Sequence, residues 1–110
     1  MRGIKLAVIA SLTVIPLGTS STSLSPYVVL SVKALRKVKG IKFQVGPTST
    51  SIEAKTLDDL LMAVKASHEA AFKSGAKRVM TILTMDDRRD IKNVTMLNKV
   101  KAIEKYLERK

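Results

Sequence analysis

One sequence feature constrains the fold of this chain more than any other. It is the order in which the spacing of apolar residues switches between that of a strand and that of a helix. Segments in which apolar and polar residues alternate, as in half-buried strands, are interleaved with segments whose apolar residues recur at helical spacing. From the N-terminus these segments predict strand, helix, strand, strand, helix, strand and helix. The first six elements are those of a split βαβ arrangement. We therefore expect an α+β domain with a βαββαβ antiparallel sheet, two helices on one face, and an added C-terminal helix.

The N-terminal segment fits two interpretations. A basic start, 1–5, followed by an apolar run, 6–10, is typical of a secretory signal peptide. A short run rich in Val and Ile is also typical of a buried strand, and apolar residues continue here to Leu17. Because removal of this segment would leave an odd number of strands, we favour a first strand over 5–17. The sequence contains no run of about 18 apolar residues that could span a membrane.

Local signals set the limits of the next three elements. Ser25 is a good helix cap and Pro26 suits the first helical position, so a first helix is predicted to start here and to end near Lys39, before a glycine. The alternating segments 41–45 and 48–54 are joined by a Gly-Pro turn. Two strands joined in this way predict a hairpin.

The second half of the chain has its own start and stop signals. Thr56 with a carboxylate three residues later resembles a capping box and starts the second helix, which Gly75 ends. The segment 79–85 predicts a largely buried strand, and 86–90 a solvated turn of mixed charge. The last helix carries apolar residues at helical spacing, Met96, Val100, Ile103 and Leu107. We expect it to cover a sheet edge or to pack on a second subunit.

Composition narrows the classes of function. A chain of 110 residues is expected to form a single domain, 1–110. It has no cysteine, which excludes disulfides and thiol catalysis and fits a reducing compartment. Its net charge of +11 suggests nucleic acid as a partner. The basic residues are scattered, however, and the few aromatic residues are not interleaved with Arg as a stacking surface requires. A basic module that binds nucleic acid or an acidic protein is therefore the alternative function.

Few residues are candidates for chemistry. The chain contains neither a Gly-x-Ser-x-Gly elbow nor a phosphate-binding glycine loop, so we expect no enzyme. His68 is the single histidine and lies on the apolar stripe of the second helix, where it either packs or contacts a ligand. A lone histidine does not make a zinc site, so no metal is expected. Glu53 stands among Ser, Thr and Ile. It is either a solvent-facing strand residue or a carboxylate for a cationic or aminopyrimidine-like ligand.

A series of short motifs, in order, resembles the YkoF-like thiamine-binding family. These motifs are Val14–Gly18, Ser21–Ser25, Thr50–Ala54, Ala66–Glu69, Gly75–Val79 and Asp87–Asp90. The resemblance covers about 5–107. Three positions depart from the family pattern, since Thr48-Ser49 stands where Met-Gly is common and Ala54 replaces a frequent glycine.

The resemblance implies a fold, a ligand and a site. It implies a ferredoxin-like fold, binding of thiamine or a related aminopyrimidine without catalysis or a further cofactor, and a cytoplasmic location. It also implies homodimers or homotetramers formed through the sheets. Carried over by position, the ligand-binding residues are Ser21 and Ser23 in the hydroxyl-rich loop, Thr50 and Glu53 on the third strand, His68 on the second helix, and Arg88.

Overall fold

The computed structural model describes residues 7–92 and 94–108, and within them the predicted order of elements is present. The strands are β1 (Val8–Leu17), β2 (Ile41–Val45), β3 (Thr50–Ala54) and β4 (Arg78–Asp87). The helices are α1 (Ser25–Leu35), α2 (Leu57–Lys73) and α3 (Met96–Leu107). The predicted first strand is confirmed from Val8 onward, and its first residues, Lys5 and Leu6, lie outside the described residues.

The four strands form one sheet in the order β2-β3-β1-β4, and every neighbouring pair is antiparallel. β1 lies in the interior of the sheet. It pairs with β4 along its whole length, from Val8 opposite Asp87 to Leu17 opposite Arg78, and its first half also pairs with β3. This strand order, with the βαββαβ chain order, confirms the ferredoxin-like fold.

The core lies between the sheet and the helices α1 and α2. Successive side chains of a strand point to opposite faces, and on the face that α1 and α2 cover, here called the helix face, small and branched apolar residues are buried. The buried cluster consists of Val8, Ala10, Leu12, Ile52 and Ala54 from the strands and Leu35, Leu60 and Ala63 from the helices. The alanines allow α2 to approach the sheet closely, and Ile52 and Leu60 are completely buried.

The N-cap predicted for α2 is confirmed, whereas the N-cap predicted for α1 is wrong. Thr56 occupies the N-cap of α2, and its hydroxyl accepts a hydrogen bond from the Asp59 N–H at 3.1 Å. At α1 the N-cap position is Leu24, with no side-chain cap, and Ser25 is already helical. The prediction of Ser25 as a cap is therefore wrong: the helix starts one residue earlier than a Ser25 cap requires. The prediction that α1 extends to Lys39 is also wrong, because the helix ends at Leu35 and turns follow.

The prediction that the fourth strand is largely buried is wrong for a topological reason. β4 is an edge strand, and only its alternate residues approach the helices. Met80 and Ile82 point to the other side of the sheet, here called the open face, and are 47% and 49% exposed. In the part of the chain that the structure describes, no helix combines the length and the apolar character needed to cross a membrane.

Candidate functional site

A row of four residues crosses the open face near the start of β1. The strand register places Lys42 opposite Glu53, Glu53 opposite Ile9, and Ile9 opposite Asp86. Because neighbouring strands are about 4.8 Å apart, the backbones at Glu53 and Asp86 are about 10 Å apart, with Ile9 between them. The fold therefore brings two carboxylates, 33 positions apart in the sequence, to the same face.

A second row, one step along the strands, consists of uncharged polar residues. The same register aligns Gln44, Ser51, Ser11 and Thr84 across the four strands. The Ser11 hydroxyl donates to the Ser49 hydroxyl oxygen at 2.9 Å. Because hydroxyls and amides can donate or accept, this row can match a heterocycle whose ring atoms alternate in polarity. We call the two carboxylates together with these four residues the polar patch.

The first turn of α3 lies against the polar patch. The Met96 N–H donates to Oε1 of Glu53 at 2.8 Å, and Nζ of Lys99 donates to Oδ2 of Asp86 at 2.6 Å. The free N–H groups at a helix start favour a carboxylate there. Glu53 is therefore not an isolated strand carboxylate, because one of its two oxygens already accepts a hydrogen bond from α3.

Helix α3 buries little of its surface against the rest of the described chain. None of its described residues is buried. Its apolar side chains are 53–75% exposed at Leu97, Val100, Ile103, Tyr106 and Leu107. The helix is amphipathic, and within the described residues its apolar side stays largely exposed. The two carboxylates of the polar patch are thus major anchors of this helix.

Arg88 lies at the same end of the sheet as the two carboxylates, two residues beyond Asp86. Its guanidinium binds Asp90 through both carboxylate oxygens, at 2.7 and 3.0 Å, and Arg89 binds Asp87 at 2.7 Å. These hydrogen bonds hold the pKa of Asp90 and that of Asp87 below the usual value for a carboxyl group. The salt bridges expected of this charged segment are present, but Asp86 and Asp87 belong to β4 rather than to the turn. Arg88 stands beside the polar patch with a partner of its own.

Thr50 and His68 lie on the other side of the sheet from Glu53. Thr50 is in register with Leu12, a residue of the helix face. Nδ1 of His68 is 2.6 Å from the hydroxyl of Thr81, and its ring meets Phe72 edge-on with 5.3 Å between centroids. His68 is half-buried and has polar and aromatic partners within the fold. One ligand lying on the open face does not contact these two residues in the same chain.

Ser21 and Ser23 lie at the far end of the sheet. They are in the exposed loop that follows Leu17, whereas Glu53 pairs with Ile9, eight residues earlier on β1. At about 3.3 Å per residue the two places are roughly 26 Å apart along the strand. The Ser23 N–H donates to the Ser21 hydroxyl oxygen at 3.1 Å, a local turn contact. The structure therefore brings Glu53 and Arg88 to one end of the molecule and distributes the other four predicted residues elsewhere.

The sequence reasoning missed Asp86 and the hydroxyls of the polar patch. It ended the fourth strand at Met85 and placed Asp86 in the turn, but the strand continues to Asp87. The alternation of Ile82, Thr84 and Asp86 could have placed this carboxylate on one face with them. That Glu53 lies on the same face follows only from the pairing register, which the sequence does not show.

A comparison with known proteins identifies the family. The model of the family described as Thiamine-binding protein matches residues 10–104. The chain belongs to this thiamine-binding family. A UPF0045 protein of Methanothermobacter thermautotrophicus is 53% identical over 81 residues, which are 74% of this chain and 81% of that protein. The family that the sequence motifs indicated is therefore confirmed.

Solved structures of similar proteins agree with the fold. A hypothetical protein of Methanocaldococcus jannaschii superposes with a TM-score of 0.79 at 33% identity, over 89% of this chain and 96% of that one. A candidate thiamine biosynthesis or salvage protein of Thermotoga maritima superposes with a TM-score of 0.70 over 88% of this chain and 98% of that one. At 23% identity the second likeness concerns the fold alone.

Proposed function

We propose that this protein binds thiamine or a related aminopyrimidine reversibly, as a carrier, buffer or sensor, and does not catalyse a reaction on it. The observation that supports the proposal is the family match, which extends over residues 10–104. The chemistry of the open face is compatible with it. Thiamine carries a cationic thiazolium ring and an amino-substituted pyrimidine, and the polar patch offers two carboxylates beside a row of hydroxyls.

In the proposed site, Glu53 and Asp86 accept hydrogen bonds from the amino group or offset the thiazolium charge. Ser11, Ser51 and Thr84 would match the edge of the pyrimidine ring, since a hydroxyl can donate or accept as required. The roles of Thr50, His68, Ser21 and Ser23 stay predictions from the family resemblance, because in one chain these residues face other regions.

The charge of the molecule favours a phosphorylated ligand. A net charge of +11 opposes the approach of a cation. Cationic side chains flank the polar patch: Lys42 lies opposite Glu53, Lys99 bonds to Asp86, and Arg88 stands two residues further on. These groups would attract a phosphate attached to a ligand whose cationic ring meets the carboxylates. We therefore propose that thiamine phosphate or thiamine diphosphate binds more tightly than thiamine.

The family resemblance also supports two further parts of the proposal, a cytoplasmic location and a homodimeric or homotetrameric assembly. The open face is a suitable surface for assembly, because Met80 and Ile82 are about half exposed on it. A second copy on this face would exclude water from the polar patch and strengthen its hydrogen bonds to a ligand.

Isothermal titration calorimetry against thiamine, thiamine phosphate and thiamine diphosphate at two salt concentrations tests the proposal. We expect saturable micromolar binding that is tighter for the phosphorylated compounds. Binding of thiamine should change little with salt, because a small ligand in a polar site does not release many counterions. The alternative, a basic module for nucleic acid, requires binding to an oligonucleotide that weakens steeply with salt. No heat with any of the three compounds would refute the proposed function.

A further inference from the structure

The helix layer carries an apolar groove on its outer side. The groove has a volume of about 540 Å³ and lies between α1 and α2. On α1 the residues that line it include Leu30, Lys33 and Ala34, and on α2 they include Met62 and Lys65. These positions recur at three and four residues, so each helix presents one continuous face to the groove. None of these five residues belongs to the buried cluster that packs on the sheet.

The floor of the groove is suited to a third helix. It contains Ala34, Ala66 and Ala70, whose small side chains allow another helix axis to come close. Leu30 and Met62 border this floor and are 36% and 58% exposed. On α2 the groove extends from Met62 to Lys73, a length of about 16 Å or three helical turns. This length matches the apolar side of a short amphipathic helix.

Helix α1 has apolar residues exposed both in the groove, at Leu30, and outside it, at Val28 and Val29. A helix that is apolar on all sides is normally buried on all sides. In α1 Leu35 is the one described residue that is buried, while Val28, Val29 and Leu30 are all substantially exposed. Helix α1 thus carries more apolar surface than its contacts within this chain cover.

The charged residues around the groove indicate the chemistry of the molecule that binds there. Four lysines, Lys33, Lys37, Lys65 and Lys73, border the groove against a single acidic residue, Glu69. Among the described residues none of these lysines forms an ion pair. A second copy would bring lysines against lysines. A phosphate backbone would gain nothing from an alanine floor, and a flat membrane would not reach apolar groups recessed between two helices. A binding partner with an apolar stripe and acidic flanks matches both the alanine floor and the lysines that border it.

We infer that the groove between α1 and α2 binds an acidic amphipathic helix of a partner protein. The apolar stripe of that helix lies on the alanine floor, and its carboxylates meet the four lysines. This site is on the opposite side of the molecule from the polar patch, so it does not depend on the proposed ligand.

The test uses a fluorescein-labelled 14-residue peptide with a Leu/Ala stripe and glutamates on both flanks, measured by fluorescence anisotropy. We expect Ala66→Phe, which fills the floor without a change of charge, to weaken binding by about tenfold or more. The double variant Lys33→Glu/Lys65→Glu should weaken it at least as much. The matched control Lys101→Glu/Lys105→Glu, with the same charge change on α3, should alter affinity by less than about twofold.

A second peptide of identical composition, with the stripe shuffled, separates groove binding from attraction to a basic protein. Any of three results would overturn the inference. The two peptides could bind with equal affinity, the α3 control could weaken binding as much as the groove variants do, or the striped peptide could fail to bind. Preferential binding to phosphatidylserine vesicles that Ala66→Phe leaves unchanged would also overturn it. Circular dichroism checks that each variant is folded, and Ala34→Leu serves as a smaller obstruction if Ala66→Phe unfolds.

Discussion

At the scale of single residues, Gly40 and Gly18 show two different reasons why a position requires glycine: a left-handed backbone and a lack of space for a side chain. Both have left-handed backbones, with φ of 81° and 73°. A side chain at Gly40 would also collide with the Asp59 carboxylate in the first turn of α2, whereas the space around Gly18 is open. Gly40 therefore has to be small because α2 starts directly beside the turn between α1 and β2.

We expect Gly18→Ala to lower the free energy of unfolding by about 1 kcal/mol, the cost of a left-handed backbone for alanine. Gly40→Ala should cost clearly more, about 2–3 kcal/mol, because the Asp59 carboxylate must also move. Urea unfolding followed by circular dichroism measures both values. Equal losses for the two variants would show that Asp59 moves aside without cost.

Residue-scale reasoning from the sequence succeeded where the determinant is local. Thr56 was identified as a cap because its partner, the Asp59 N–H, is three residues away. Glu53 was identified as unusual among its neighbours, but its contact with Met96, 43 positions away, could not be seen. Asp86 was assigned to a solvated turn for the same reason. The polar patch depends on strand register, and register depends on the whole sheet.

At the scale of elements, Glu53 links the proposed site to the position of α3. Its carboxylate accepts the Met96 N–H, and none of the described residues of α3 is buried. Removal of the carboxylate leaves a helix donor unpaired. Exchange to glutamine keeps an oxygen acceptor at the same place and removes only the charge. The two substitutions therefore separate an anchoring role from an electrostatic one.

We expect Glu53→Ala to weaken binding of thiamine phosphate by about tenfold and to speed amide hydrogen exchange in α3. Glu53→Gln should also lower affinity, while exchange in α3 stays near that of the unmodified protein. Calorimetry and hydrogen exchange with mass spectrometry make the two measurements, with Glu69→Gln on α2 as the control for lost charge. Unchanged affinity in Glu53→Ala would remove this residue from the site, and unchanged exchange would mean that other contacts hold α3.

The elements themselves were largely accessible to prediction. The period of each segment gave its type, and the Gly-Pro turn gave the hairpin of β2 and β3. The burial of β4 was predicted wrongly because its sequence is as apolar as that of an interior strand. Its place at the sheet edge is set by the path of α2 over the sheet, which no local pattern encodes. The exposure of the apolar side of α3 likewise depends on how the elements are arranged in space, so the local sequence did not show it.

At the scale of the whole molecule, two exposed apolar surfaces favour self-association, and the large net charge opposes it. Met80 and Ile82 on the open face, and the apolar side of α3, favour association because their burial removes apolar area from water. The net charge of +11 on each copy opposes association by mutual repulsion. The radius of gyration, 15.7 Å, exceeds the value of about 13 Å expected for a compact chain of this length. This difference agrees with a helix, α3, that extends from the rest of the domain.

Because the repulsion is screened by salt whereas apolar burial is not, assembly should strengthen as ionic strength rises. We expect light scattering coupled to size exclusion to show a dimer or tetramer at micromolar concentration, with a larger oligomeric fraction at 0.5 M than at about 0.05 M salt. Ile82→Glu should shift the protein to monomer, because it places a carboxylate in the open face. Val29→Glu, on an equally exposed residue of α1, should leave assembly unchanged. A monomer at every salt concentration would mean that charge repulsion exceeds the gain from the open face, and the polar patch would then have to bind its ligand while open to water.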